Sequence, residues 1–225
     1  MTLNIIKIGG SLAQNPNALK TLCQKLCSLA NMHQIMIVPG GGKFADCIRE
    51  ADKQFTLSNT TIHHMAILAM DQYGLLLADL MPNSQITYNI KNIKKTNKNN
   101  NTLTVLLPSK LTFLKKELPN SWEVTSDSIA AYITKKLETT KLLLIKDVDG
   151  IFTDNPKENK HSKLFEQLTI KKLSEMKNKT CTDTYLPKIL ETFHKINCHI
   201  INGHYPNRIE ATLNKQKTTS TTIST

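Results

Sequence analysis

The chain has 225 residues, 40% of them hydrophobic but only 5% aromatic, so a sizeable core is affordable and must be built from aliphatic side chains. Lysine and arginine number 29 against 18 acidic residues, a formal charge of +11 that favours anionic partners. There is no apolar run of the ~18–20 residues that a membrane span needs and no signal peptide, and the five cysteines are odd in number and lack CxxC spacing. These features argue against a membrane protein, a secreted disulfide scaffold and a zinc module, and they imply a reducing, cytoplasmic setting.

In chain order, Leu3–Ile8 is an apolar run ending at Gly9-Gly10, which predicts a buried strand. Leu19, Leu22, Leu26 and Leu29 then recur at helical spacing behind Pro16, a residue the first turn of a helix tolerates. Gln34–Gly42 predicts a second buried strand closing in glycines, followed by a helix through Lys43–Gln54. A long apolar helix is predicted over Thr60–Met81, and short strands over Gln85–Ile90 and Leu103–Pro108. The Asn/Lys-rich stretch Asn89–Asn101 reads as a loop, and it and Leu173–Thr180 read as solvated charge. Ser126–Glu138 opens with a cap (Thr125 or Ser126) and continues as a helix. Lys141–Pro156 is a buried strand running into a polar turn. Thr182–Ile196 predicts a helix, Cys198–Gly203 a strand and Asn207–Leu213 a last helix. The polar tail from Lys215 reads as either a disordered end or a final edge strand.

Alternating strands and helices give an α/β fold with a mainly parallel sheet. Ligands in such sheets collect beyond the carboxyl ends of the strands. That rule selects four junctions: Gly9–Ser11, Pro39–Lys43, Lys146–Gly150 and Asn202–Gly203. Gly9, Gly10 and Ser11 let backbone amides approach an anion, and Lys7 just before them is either an incidental strand-end charge or aimed at that anion. The loop is not a Walker A motif and no GxGxxG follows the first strand, which disfavours a nicotinamide oxidoreductase. Asp127 reads as a helix-capping carboxylate or as an organiser of lysine ammonium groups. Asp147, Asp149, Thr153 and Asp154 read as an acidic turn or as a holder of ribose or metal. Lys188 in the first turn of a helix opposes the helix dipole, which suggests an anion nearby. Lys43 and Arg49 are surface charges or contacts for an acceptor phosphate, and His63, His64 and the methionines read as packing.

Taken together, "KIGGSL", "VPGGG", "TSDSIAA", "DVDGIFTDNP", "PKILE" and "INGHYPNRI" resemble, in order and spacing, the amino acid kinase superfamily. The resemblance implies a three-layer αβα sandwich in one domain, with an acceptor half over about residues 1–122 and a nucleotide half over about 123–225. It implies transfer of the γ-phosphoryl group of ATP, with Mg2+, to a small acceptor. Carried over by position, Lys7 and Lys188 neutralise the transferring group and Asp127 holds both lysines. Gly9, Gly10 and Ser11 hold ATP phosphates, and Asp147, Asp149, Gly150, Phe152, Asp154 and Lys188 line the nucleotide. Gly40, Gly41, Gly42, Lys43, Arg49 and Ser126 face the acceptor, and no protein metal ligand is assigned. The usual GTxI near the end of the family pattern is Ser220–Ile223 here.

The stretch Ile62–Pro82, with "PGGGKFA" and "WEVTSDSIAA", resembles the branch containing the aminomethyl-furan-methanol phosphate kinase of methanofuran biosynthesis. That branch implies a phosphorylated small-molecule substrate, a cytoplasmic homo-oligomer, and neither nucleic acid nor membrane as partner. The alternatives are another activity of the superfamily (on uridylate, isopentenyl phosphate or acetylglutamate) or a non-catalytic nucleotide- or anion-binding sensor or storage protein. Retention of both Lys7 and Lys188 disfavours the sensor, and the lack of aromatic interleaving disfavours a nucleic-acid binder.

Overall fold

The computed structural model describes residues 2–90, 93, 103–112, 117–156, 158–176 and 180–224. Most of the Asn89–Asn101 stretch, and residues 177–179 of the other lysine-rich stretch, lie outside the described residues. Eight strands form one sheet: β1 (Asn4–Ile8), β2 (Ile35–Pro39), β3 (Gln85–Thr87), β4 (Thr104–Leu106), β5 (Lys141–Lys146), β6 (Gln167–Thr169), β7 (Asn197–Asn202) and β8 (Thr221–Ser224). Their order is β3-β4-β2-β1-β5-β7-β8-β6, and every pairing is parallel except β7 with β8. The helices are α1 (Pro16–Ala30), α2 (Gly42–Phe55), α3 (Asn59–Asp79), α4 (Ser109–Thr112), α5 (Ser126–Lys136), α6 (Ile170–Glu175), α7 (Leu186–Glu191) and α8 (Asn207–Leu213). A 3-10 turn, Gly10–Gln14, follows β1.

Strand alternation divides the core into two apolar layers. Ile6, Ile8, Ile37, Leu143 and Ile145 pack beneath Leu19, Leu22 and Leu26 of α1 and Ile209 of α8. Ile5, Met36, Leu142 and Leu144 pack on the other face against Ile129, Ala130 and Ile133 of α5 and Leu186 of α7. Lys7, two residues after Ile5, therefore projects into the α5 layer. Helix α3 contributes Tyr73 and Leu77 to one layer and Ile67 and Met70 to the other, which is why its apolar residues surround it instead of forming one stripe. Helices and sheet make the expected αβα sandwich. From β1 the chain moves outward to β2 on one side, and from β5 toward β7 on the other. The crevice beyond the carboxyl ends of β1 and β5 is thus the switch point where α/β sheets take ligands.

Four elements of the C-terminal half depart from the sequence expectation. The tail is neither disordered nor an edge, because β8 lies between β7 and β6. Its key residue is Thr221, fully buried, whose hydroxyl donates to Phe165 O at 2.6 Å and accepts from Ile151 N at 2.9 Å. Strand β6 and helix α6 occupy polar sequence that gave no periodic signal, since β6 is three residues with only Leu168 buried. The helix expected over Thr182–Ile196 shrinks to Leu186–Glu191, because Asp183 forms the turn before it and accepts from Leu186 N.

Thr221→Val strands the buried Ile151 amide and the part-buried Phe165 carbonyl with no change in shape. It is expected to lower stability by about 2–4 kcal/mol, read as a reduced urea midpoint at unchanged slope.

Candidate phosphoryl-transfer site

The centre of the crevice is a buried cluster of three charges. Asp127, the second residue of α5, receives Lys7 Nζ on Oδ1 at 2.8 Å and Lys146 Nζ on Oδ2 at 2.7 Å. Lys146 also donates to Cys181 O at 2.7 Å. Lys7 is 5%, Asp127 2% and Lys146 9% exposed. Burial opposes the charge on Asp127, but Lys146 and then Lys7 outweigh it and hold the carboxyl far below its ordinary range. Burial lowers the pKa of Lys7, Asp127 opposes that shift and Lys146 adds to it. On Lys146 burial acts in the same sense, but Asp127 prevails and its pKa rises. Two ammonium groups on one carboxylate leave a surplus positive charge at the foot of the crevice. A pair so buried is costly unless an arriving anion uses that surplus.

The glycine junctions meet here backbone to backbone. A Cβ on Gly10 would fall 2.1 Å from Gly42 N, and one on Gly40 would fall 2.8 Å from Gly10 N. Gly42 also adopts φ +55°, the left-handed region that favours glycine. Gly9 N donates to Ile145 O at 2.8 Å and so extends the sheet; it is committed there instead of facing a phosphate. The amides of Gly10 and Ser11 precede the first internal bond of the 3-10 turn, Leu12 N to Gly9 O, so the turn itself offers them no acceptor. Ser11 Oγ donates to Asp147 Oδ1 at 3.0 Å, joining the β1 and β5 junctions.

A cavity of about 340 Å³ adjoins the glycines. Its floor is Gly10, Ser11, Gly41 and Gly42, its walls come from α2, α3 and the start of α5, and Ser126 is on its rim. One side is apolar, with Ile62, Ile67, Met70 and Ile129. The other carries Lys43, Asp46 and Arg49, and Arg49 both pairs with Asp46 at 2.6 Å and stacks over the Trp122 ring at 5.0 Å. Trp122 is fixed in turn by its Nε1 donating to Asp52 at 3.3 Å. His63 is 7% exposed and lines the cavity; burial, then His64, lowers its pKa.

The remaining expected residues divide. Asp149 lies at the end of β5 but its Oδ1 is taken by Asn202 at 2.9 Å and Arg208 at 2.5 Å, and these partners overcome burial and lower its pKa. Gly150, at φ +154°, packs where a Cβ would fall 2.3 Å from Thr221 Oγ1. Phe152 bridges to Leu164, and Asp154 organises its own loop by accepting from Asn155 N and Asn159 Nδ2. Lys188 does not reach Asp127. Leu186, Pro187, Ile189 and Leu190 are the buried residues of α7, so Lys188 points outward, its Nζ 5.1 Å from the Tyr185 ring centroid. The second lysine on Asp127 is Lys146, at a junction the sequence selected but overshadowed there by the aspartates of the acidic turn that follows it. Trp122 was likewise missed, since only the fold brings it over α2. Among the described residues no three His, Cys, Asp or Glu side chains stand together as a metal site, and no helix is long and apolar enough to cross a membrane.

Comparison with known proteins gives this geometry a context. Residues 2–202 match the amino acid kinase family. The chain is 34% identical to the [5-(aminomethyl)furan-3-yl]methyl phosphate kinase of Methanocaldococcus jannaschii over 211 residues, 92% of this chain and 91% of that protein. It is 24% identical over 176 residues to a uridylate kinase of Thermococcus kodakarensis, covering 76% of this chain and 74% of that one. The solved uridylate kinase of Archaeoglobus fulgidus superposes with a TM-score of 0.77 over the whole of both chains at 19% identity, a likeness of fold.

Asp127 titrates below its unfolded value, so its contribution to stability is present above about pH 4 and is lost as pH falls through the folded pKa. Lys146→Met removes the larger of its two counter-ions. It should destabilise the protein by about 3–5 kcal/mol and move acid unfolding to higher pH, as followed by circular dichroism.

Proposed function

The chain belongs to the amino acid kinase family, and from that premise we propose that it transfers the γ-phosphoryl group of ATP to a phosphate monoester of the aminomethylfuran type, giving the diphosphate in methanofuran biosynthesis. The 34% identity to such a kinase over 92% of the chain supports the acceptor class. The observation that carries the reaction is the Lys7–Asp127–Lys146 cluster, with its surplus positive charge beside the Gly10–Gly42 contact.

The chemistry follows from charge. An oxygen of the acceptor phosphate attacks the γ-phosphorus, the bond from that phosphorus to the β,γ-bridging oxygen breaks, and its electrons leave on ADP. A dianionic acceptor has no proton to surrender, so the site needs cations and alignment more than a base. Lys7 and Lys146 stabilise the charge spread over the transferring oxygens, and Asp127 fixes both ammonium groups so that no reorganisation is needed in the transition state. Lys188, exposed on α7 beside the Tyr185 ring, supplies a further cation only by swinging from that ring toward the bound triphosphate. The amides of Gly10 and Ser11 face the phosphates. The surplus cation and these amides fit a triphosphate, and Mg2+ would enter on that triphosphate, keeping water in its other positions and neutralising its charge. Asp147, Asp149, Gly150, Phe152 and Asp154 shape the nucleotide side around β5.

The acceptor takes the 340 Å³ cavity, which is near the lower end of the ~300–1,000 Å³ range of ligand pockets and suits a single ring. Gly40, Gly41 and Gly42 allow its phosphate close to the transfer line, Lys43 and Arg49 offer it charge, and Ser126 a hydroxyl. Trp122 and the Ile62–Met70 wall meet the ring. Free thiols at all five cysteines fit a cytoplasmic site of action. Exposed Leu68, Leu75 and Leu76, seven to eight positions apart on α3, support self-association.

Product formation from ATP is to be measured with the aminomethylfuran phosphate, uridine monophosphate, isopentenyl phosphate and acetylglutamate. The furan phosphate is expected to have the highest kcat/KM by at least tenfold; turnover of none of them refutes the kinase reading. Lys7 must be protonated to act and burial lowers its pKa, so kcat should fall along an alkaline limb below the ordinary lysine range. In Lys7→Arg the limb should vanish, because guanidinium stays charged.

A further inference from the structure

Asp183 has no role in any motif of the sequence, yet it is the most heavily hydrogen-bonded carboxylate near the crevice. Oδ2 accepts from Thr125 N at 3.0 Å, Thr125 Oγ1 at 2.8 Å and Ser128 N at 3.0 Å. Oδ1 accepts from Ser128 Oγ at 2.5 Å and Leu186 N at 2.9 Å. Four of these donors flank Asp127 on both sides, and the fifth is the first amide of α7. Thr125 occupies the N-cap of α5 but its own side chain makes no cap bond; the capping oxygen comes from a residue 55 to 58 positions away. The same carboxylate ties the start of α5, which carries Asp127, to the start of α7, which carries Lys188.

A helix cap needs one or two acceptor contacts, and a local Ser or Thr would serve. A carboxylate placed beside another, Asp127, in a buried setting is an expensive cap: burial and then Asp127 raise its pKa. Its negative charge also faces the lysines, where it works to keep Lys7 and Lys146 protonated.

We propose that Asp183 is a positioning residue for phosphoryl transfer: it fixes the Thr125–Ser128 turn, and thereby the direction in which Asp127 presents Lys7 and Lys146, and locks α7 to that turn. Asp127 makes the direct contacts with both ammonium groups, and Asp183 stands behind it as a weaker influence that leaves the surplus positive charge facing the crevice. The lysine cluster therefore stays compact before an anion arrives, and the arriving phosphate has its full set of cations in place. This rests on the kinase reading above for its effect on rate, but not for its effect on Lys7.

The test is Asp183→Asn, nearly isosteric and still able to accept with one oxygen. Two measurements separate the outcomes. The first titrates the Lys7 side chain by NMR of 13C-labelled lysine, with Lys7→Arg for assignment, and needs no activity. The charged groups facing Lys7 are Asp127 from α5, Lys146 from β5 and Asp183 from the segment before α7, with the Cys181 thiol, whose pKa burial raises, as a neutral titratable neighbour. The Lys7 pKa is expected to drop in Asp183→Asn; an unchanged pKa overturns the electrostatic part of the proposal. The second is steady-state kinetics with ATP and the furan phosphate. The expectation is a kcat at least about tenfold lower with acceptor KM changed less than threefold, the alkaline limb moving to lower pH, and recovery of most of kcat in Asp183→Glu. Wild-type kcat in Asp183→Asn, or equal loss in kcat and in thermal stability with no shift of the limb, overturns positioning. Should Asp183→Asn fail to fold, Ser128→Ala removes a single hydroxyl donor and keeps the charge. It should lower kcat about threefold or more without moving the limb, and an unchanged kcat refutes the proposal. If the wild type turns over no acceptor, the kinase reading fails while the titration still judges Asp183.

Discussion

One carboxylate holding two buried ammonium groups is the interaction on which this structure turns. Asp127 meets Lys7 from the first strand and Lys146 from the fifth, 139 residues apart in sequence and on adjacent strands, Lys7 standing opposite Leu144, two residues before Lys146. In water such contacts contribute little, but here all three groups are almost wholly buried. The arrangement is stable only as a set, and it carries one more positive charge than negative. A site built in this way is prepared for an anion. It also dictates geometry, because neither lysine can move without leaving Asp127 exposed to an apolar layer.

The fold provides the set cheaply. β1 and β5 lie side by side at the switch point, so parallel register puts the ends of both strands, and hence both lysines, under the start of α5. The glycines bring the β1 and β2 junctions into backbone contact, Gly10 against Gly42, closing the floor beneath the adjoining cavity. β8, inserted between β7 and β6, locks the Gly150 turn through Thr221 and so fixes the far side of the crevice. Binding energy and alignment, more than covalent participation, are what phosphoryl transfer asks of a protein.

Much of this was legible in the sequence for stated reasons. Buried parallel strands give unbroken apolar runs, and β1, β2, β5 and β7 all did; glycines at their ends marked the crevice. Lys7 was visible because a charge in such a run is anomalous. Lys146 was equally anomalous but abutted an acidic turn that drew attention to its aspartates. Of these, Asp149 serves Asn202 and Arg208, and Asp154 serves its own loop. Asp183 fell inside the expected Thr182–Ile196 helix, where nothing set it apart, and its meaning depends on contacts more than fifty residues distant. Lys188 was read by position on a short helix, and its apolar neighbours turn it to solvent. β6 and α6 escaped notice because neither is long enough to show a period.

The central claim is that the charge on Lys7, held by Asp127, stabilises the transferring phosphoryl group and not merely the bound nucleotide. Single-turnover transfer from saturating ATP to the furan phosphate in Lys7→Met measures this most directly. The account predicts a chemical step slower by ~10²–10³-fold with ATP affinity changed far less. Transfer at the wild-type rate, or a loss confined to ATP binding, would contradict it.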